Sequence, residues 1–412
     1  MESYLPRFLD ESLADAVASH PAVMLVGPRG CGKTTSARRF AAEMVSLDIP
    51  ARAALFAADA DAALAAFTDR PLLLDEWQEV PGVIGAVKRA VDAGAPVGSF
   101  ILTGSVRAVV SNQTWPGTGR IIELEMTPLA RREIERRVGS SSLIDRLLAA
   151  ELPLGRIADA PSIAGYVDLA LAGGFPKAAL RLDADASVRF YRSFVSQIAT
   201  RDLASALRGA NPDRFGAYLE AFALNTAGVT PHATLYRHAG VTRVTAEGYD
   251  AVLDRLYLAS RVPAFSTNRL DRLVRMPKRF LADPALAAAA ARTNRDDILR
   301  DGELLGRLIE SFVFSQLKAE LSALHPDIRL HHLRTEKGSR EVDFLLTLGG
   351  GRLVGIEVKS AATVDTHDAR HLAWLRDRFG DAFLHGVVLH TGPDAFPLGH
   401  RLSALPIAAL WA

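Results

Sequence analysis

The sequence predicts an α/β chain with a parallel-sheet domain at its front, a helical and winged-helix middle, and a second α/β unit at its C-terminal end. Three observations carry this prediction. Short apolar runs alternate with helical patterns over the first third of the chain. The first of them, Val23-Met24-Leu25-Val26, ends in GPRGCGKT at 27–34. Near the far end, Asp343 and the triplet Glu357-Val358-Lys359 stand on two alternating apolar runs separated by three glycines.

At 412 residues the chain is long enough for two to three compact units of about 150 residues each. Hydrophobic residues make up 49% and charged residues 23%, ordinary values for a globular chain, so a disordered or fibrous class is excluded. The net charge of +1 excludes a uniformly basic protein and confines any nucleic-acid surface to a local patch. No long uncharged apolar stretch interrupts the chain and the charged N-terminus lacks an apolar leader core, so no membrane association and a cytoplasmic location are expected. The single cysteine, Cys31, excludes an internal disulfide.

The 27–34 stretch has the form of a phosphate-binding loop. Gly27, Gly30 and Gly32 let successive N–H groups converge on a phosphate, and a helix expected over 35–45 adds the field of its N-terminus. The expected nucleotide cradle is Gly27, Pro28, Arg29, Gly30, Cys31, Gly32, Lys33, Thr34 and Thr35, with Lys33 on the outer phosphates and Thr34 on Mg²⁺. Four positions match the pattern between a strand and a helix, whereas an ordinary glycine turn would need none of them.

Strands are expected at 22–26, 53–57, 71–77, 99–103 and 121–126, with helices between, as in a parallel sheet with crossovers. Leu72-Leu73-Leu74 suits a strand buried on both faces, and Asp75-Glu76 then emerge at its carboxyl end, where ligands bind in such sheets. Asp75 is the candidate Mg²⁺ partner and Glu76 the candidate base that orients a water. The next strand ends in Thr103-Gly104-Ser105, so Thr103 or Ser105 could sense the terminal phosphate; a hydroxyl-capped turn is the plainer alternative. In WPGTGR at 115–120, Arg120 could act as an arginine finger from a neighbouring subunit, which would make the protein a homo-oligomer, or could be a plain surface arginine.

GPRGCGKTT, LLLDEWQ, FILTGS and WPGTGR, together with GGFPKAAL at 173–180, RFYRSFVSQIATRDL at 189–203 and RMPKRFLADPAL at 275–286, resemble the AAA-type ATPases of bacteria and archaea that carry a C-terminal region of unknown function. The resemblance spans nearly the whole chain. It implies ATP and Mg²⁺ as ligands, with Lys33, Thr34, Asp75 and Glu76 in the corresponding roles, Thr103 as sensor and Arg120 as finger. The front domain is accordingly placed at 1–140.

Apolar residues at helical spacing predict a helical lid over 141–208, broken at Gly173-Gly174. Over 209–290, helices at 212–226, 232–239 and 243–258 with a turn at Gly240-Val241-Thr242, followed by extended stretches at 260–265 and 277–281, predict a winged helix. Arginines and Lys278 outnumber acids there, which suits DNA phosphates; contact with a protein is the alternative. The alanine run 287–291 and the polar segment 292–301 are expected to be a boundary.

The last unit, 300–412, opens with a helix over 303–324 carrying Glu310, then strands at 341–346 and 353–359 and a helix over 368–379. On the strands Val342, Phe344 and Leu346 share one face, as do Val354, Ile356 and Val358, which leaves Asp343, Glu357 and Lys359 opposite. This pattern resembles the restriction-endonuclease-like nucleases. The resemblance implies a Mg²⁺ or Mn²⁺ site at Asp343 and Glu357 assisted by Glu310, with Lys359 activating the attacking water. A charged hairpin face, and an inert tail on a retained fold, are the alternatives.

Overall fold

The computed structural model describes residues 4–106, 117–152, 154–207, 209–266, 276–335 and 340–412. Trp115 and Pro116 of WPGTGR and the arginines Arg269, Arg272 and Arg275 lie outside them.

The front of the chain builds a five-stranded parallel sheet in the order β2-β3-β4-β1-β5, from β1 Ala22–Val26, β2 Glu43–Ser46, β3 Leu72–Asp75, β4 Phe100–Gly104 and β5 Ile122–Glu125. Every residue of β1, β3 and β4 is buried, which is what their unbroken apolar runs require of central strands. Two expectations fail here. The stretch 53–57 is helical, part of Pro50–Ala58, because an alanine-rich run with proline in its first turn favours a helix. The helix after the phosphate loop stops at Ala37, and the chain turns so that Met44 and Val45 pair with Leu73 and Leu74 as an added strand.

The middle is mostly helical. Helices Pro212–Leu224, His232–His238 and Arg243–Arg255 are followed by an antiparallel pair, β7 Ala259–Val262 and β8 Lys278–Leu281. The Thr242 hydroxyl accepts from the Thr245 N–H at 3.2 Å and starts the third helix, just after the turn at Gly240. The alanine run is no linker. It lies in the helix Pro284–Ala290, buried against helices Ala184–Gln197 and Pro212–Leu224, because small side chains let helices approach closely. The next segment is helical too, over Arg295–Arg300.

Only part of 141–208 lies beside the front domain. Leu143, Ile144 and Tyr166 join the core of the C-terminal unit, and Gly155–Arg156 (β6) pairs with its sheet, whereas Phe175 and Tyr191 join the core of the middle.

The C-terminal sheet has seven strands in the order β6-β13-β14-β12-β11-β10-β9, with β9 Arg329–Arg334, β10 Glu341–Thr347, β11 Leu353–Lys359, β12 Phe383–His390, β13 Asp394–Gly399 and β14 Leu402–Pro406. Phe344, Leu346, Val354 and Ile356 pack under the long helix Gly302–Leu324, and Leu345, Leu353 and Val388 under helix Arg370–Phe379. Val342 packs with Leu345 rather than with Phe344, because the β9–β10 pairing shifts register between Val342 and Leu345. Among the described residues no helix is long and apolar enough to cross a membrane.

Candidate functional site

The carboxyl ends of β1, β3 and β4 meet at one edge of the front sheet, and the residues expected to bind nucleotide gather there. Gly27 leaves β1 with φ 147°, and a Cβ on it would stand 2.1 Å from the Met126 carbonyl oxygen, so the loop can pass β5 only as glycine. Gly32, at φ 109°, caps the helix that carries Lys33 and Thr34. The buried Lys33 ammonium donates to the carbonyls of Gly27 at 3.0 Å and Pro28 at 2.9 Å, folded over its own loop. An anionic group in the loop would compete for that charge.

Asp75 ties the edge together. Its Oδ1 accepts from the Thr34 hydroxyl at 2.7 Å and also from the Thr103 hydroxyl. Glu76 ends the strand in the left-handed region, φ 54°, a backbone strain of about 1–3 kcal/mol that the surrounding packing sustains. Its carboxylate accepts from Gln78 Nε2 and, at 3.3 Å, from the Ser105 hydroxyl. An open cavity of about 840 Å³ is lined by Lys33, Thr34, Thr35 and Glu76 on one side and by Tyr4, Leu5, Pro176, Lys177 and Leu180 on the other. A glycine loop, a lysine, a hydroxyl on a carboxylate and a cavity of this size fit a nucleotide with Mg²⁺.

Arg29 points away from the loop, 3.6 Å from Asp202. Cys31 is buried, with its thiol on the Met126 carbonyl. Arg120 is not brought to this edge. β5 runs parallel to β1, with Ile122 beside Val23 and Glu125 beside Val26, so Arg120 lies at the amino end of the sheet. There it pairs with Asp92 at 2.8 Å and donates to the Thr118 carbonyl.

Sequence reasoning missed Arg7. Its buried guanidinium donates to the Cys31 carbonyl at 2.9 Å, to Glu133 at 2.9 Å and to the Thr127 carbonyl at 2.8 Å, bracing the loop from beneath. No motif marks it. Lys177 was within reach of the sequence, since it follows GGFP directly, but only the fold turns that segment toward the cavity.

The acidic residues of the C-terminal unit also gather, with a different outcome. Asp343 accepts from the Val358 N–H at 2.9 Å and shares a hydrogen bond with Glu357. Between Asp343 and Glu310 lies the ammonium of Lys278 from β8, 3.0 Å from Asp343 Oδ1 and 2.5 Å from Glu310 Oε1. Burial would lower the lysine's pKa, but Asp343 and Glu310 outweigh it and raise it. Burial pushes Glu310 up to about 8 against the pull of Lys278, and burial with the Asp343 charge pushes Glu357 well up. Burial opposes ionisation of Asp343, yet Lys278 and the hydrogen bonds from Glu357 and Val358 hold it below the usual carboxylate range. His371 Nδ1 stands 3.6 Å from Glu357, and the Lys359 charge also acts on Glu357.

A divalent cation needs ionised oxygen ligands around an open position. Here the Lys278 ammonium stands among the would-be ligands, within 3.0 Å of both Glu310 and Asp343, so Glu310, Asp343 and Glu357 do not fit the Mg²⁺ or Mn²⁺ expected of them. Among the described residues no group of three His, Cys, Asp or Glu side chains is arranged to hold a metal.

Residues 19–135 match the AAA domain model, on the five-stranded sheet and its loop. Residues 163–297 and 305–410 match two domains of unknown function, DUF8612 and DUF4143. No curated protein matches the chain. Among solved structures it is similar to the Walker-type ATPase PABY2304 of Pyrococcus abyssi, with 14% identity and a TM-score of 0.42 over 68% of this chain and 94% of that one. It is also similar to the Bacillus subtilis DNA clamp loader delta protein (YqeN), with 12% identity and a TM-score of 0.25 over 73% of this chain and 99% of that one.

Proposed function

We propose that the front domain binds ATP with Mg²⁺ and hydrolyses it, and that this turnover controls engagement of DNA by the helices after residue 209. The hydrogen bond from Thr34 to Asp75 carries the first part, because it joins the loop hydroxyl to the strand-end carboxylate at the mouth of a nucleotide-sized cavity. Lys33 would neutralise the outer phosphates. Thr34 and Asp75 would hold Mg²⁺, which when bound offsets phosphate charge. Glu76, strained at the strand end, would take a water's proton. Thr103 keeps Asp75 in place, while Ser105, on Glu76, is the better placed of the two hydroxyls to sense that water.

Phosphate release from ATP in Mg²⁺ tests this. Turnover should vanish in Lys33→Ala; full turnover in that variant would refute the reading. Arg120 could reach a nucleotide only on a second copy of the chain, so full turnover by a monomer would remove it from the mechanism.

The DNA reading rests on the helix-turn-helix followed by the β7–β8 pair, read as a winged helix. Several of its cations are engaged within the chain: Arg255 with the Ala206 carbonyl, Arg261 with Asp254, and Arg279 with the Thr230 carbonyl. Arg237 and Arg243 are exposed and bonded within their own helices, Arg237 to the Ala233 carbonyl and Arg243 to Glu247, and Val244 next to Arg243 is 78% exposed. Duplex retention that weakens with salt and is lost in Arg237→Glu with Arg243→Glu is expected. Retention unchanged in that double variant would transfer this surface to a protein partner.

A further inference from the structure

Lys278 reaches the acidic cluster from outside the C-terminal unit. It opens β8, and its side chain is 2% exposed. Its ammonium lies 2.5 Å from Glu310, 3.0 Å from Asp343 and 3.9 Å from Glu341, with the Phe344 ring centroid 5.8 Å away. Oxygen ligands of a divalent cation stand about 2.0–2.6 Å from it. The ammonium and a metal held by Glu310 and Asp343 therefore claim the same space.

We propose that Lys278 is a built-in cation that takes the place of the metal, so that this cluster is a seat for β8 and not a nuclease centre.

The seat is reinforced on both sides. Next to it the chain before β8 is pinned to β9: the Phe265 N–H donates to the His332 carbonyl at 2.6 Å, and the His332 N–H to the Pro263 carbonyl at 3.0 Å. Two residues beyond Lys278, on the same face of β8, the Phe280 ring stacks on Phe314 of the long helix with centroids 4.0 Å apart. Arg279, between them, points the other way and donates to the Thr230 carbonyl. Withdrawing the ammonium would therefore mean unstacking Phe280 and leaving Glu310 and Asp343 buried without their cation, which makes an uncompensated charge in the interior. Two alternating residues of one short strand thus join the middle of the chain to the tail. This inference is independent of ATP turnover.

The test is Mn²⁺ titration, followed by electron paramagnetic resonance, of the full-length protein without nucleotide and carrying Asp75→Asn, so that the front site adds no binding. With Lys278 in place, no Mn²⁺ binding should depend on Asp343; binding abolished by Asp343→Asn overturns the proposal. In Lys278→Met an Asp343-dependent site should appear, at least tenfold tighter than any in the parent, and Mn²⁺ should raise the melting midpoint. A folded Lys278→Met protein that gains no site also overturns it. If that variant does not fold, the comparison with Lys278 in place decides alone. Supercoiled DNA in Mg²⁺ or Mn²⁺ should stay intact with the parent protein, and cleavage that Asp343→Asn abolishes would refute the proposal independently.

Discussion

The Thr34 hydroxyl donates to Asp75 Oδ1 at 2.7 Å, linking two residues 41 positions apart in the chain across the edge of the front sheet. The same oxygen accepts from Thr103, so one carboxylate joins the ends of β3 and β4 to the first turn of the helix after the phosphate loop. Beside it, Glu76 accepts hydrogen bonds from Gln78 and Ser105. On this geometry Glu76→Gln should keep nucleotide affinity and lose about 10²–10⁴-fold in turnover, the usual worth of a positioned base. Titration with a fluorescent nucleotide and a phosphate-release assay read the two separately. Loss of affinity equal to the loss of rate would move Glu76 out of the proton-transfer role.

Gly27→Ala should cripple the loop. The added Cβ would stand 2.1 Å from the Met126 carbonyl at a φ of +147°, and β5 would have to yield. Overpacking of this kind costs roughly 1–3 kcal/mol. A lower unfolding midpoint together with lost nucleotide binding is expected; a protein that binds nucleotide as tightly as the parent would contradict the described path of the loop.

The front domain is fastened to the long helix by Arg132 and Glu320, 3.0 Å apart, with side-chain exposures of 4% and 6%. Arg132→Met strands a buried carboxylate and should destabilise by about 3–5 kcal/mol in denaturant unfolding. Arg132→Met with Glu320→Leu removes the stranded charge and should recover most of that loss. A double variant no more stable than the single one would show that the arginine's stem packing and its bonds to the Arg137 and Ser140 carbonyls, not the charge pair, are what matter.

His332 predicts an acid-sensitive joint. Burial first, and then the Lys278 charge, lower its pKa from 6.5 to about 4. Its Nε2 bonds the Met276 carbonyl at 3.1 Å, while Nδ1 has no partner among the described residues, so a second ring proton would be a buried, unpaired donor. The unfolded chain therefore takes up this proton first as pH falls. Stability from this residue is complete above pH 6.5 and is lost as pH drops toward 4, at about 1.4 kcal/mol for each pH unit in which only the unfolded chain holds the proton. Melting curves across that range should show a shallower fall in His332→Gln than in the parent; equal slopes would clear His332 of the effect.

Local pattern was readable where chemistry and geometry coincide within a few residues. GPRGCGKT after an apolar strand, the acids after Leu72-Leu73-Leu74, the turn at Gly240-Val241-Thr242, and the strands that carry Asp343 and Glu357 each correspond to an element in the structure. Pattern misled where composition was ambiguous. The alanines at 287–290 look like filler in sequence, but Asp283 caps their helix through the Ala285 and Leu286 N–H groups, and neighbouring helices bury it. The apolar run at 53–57 carries no period that separates strand from helix, and helix propensity prevailed.

What the sequence alone determined was the identity of the loop, the acids placed at strand ends and the face shared by Val354, Ile356 and Val358, since these depend on bond geometry over a turn or a strand, whereas the bulge beside Val342 comes from its pairing with β9. What only the tertiary structure decided was who stands opposite. Arg120 follows a loop motif yet ends at the far edge of the sheet, because β5 runs parallel to β1. Lys278 reads as one more basic residue, yet it meets Glu310 and Asp343, 32 and 65 positions away. Backbone periodicity assigns a side chain its direction. The packing of distant elements assigns its partner, and for a buried charge the partner determines the chemistry.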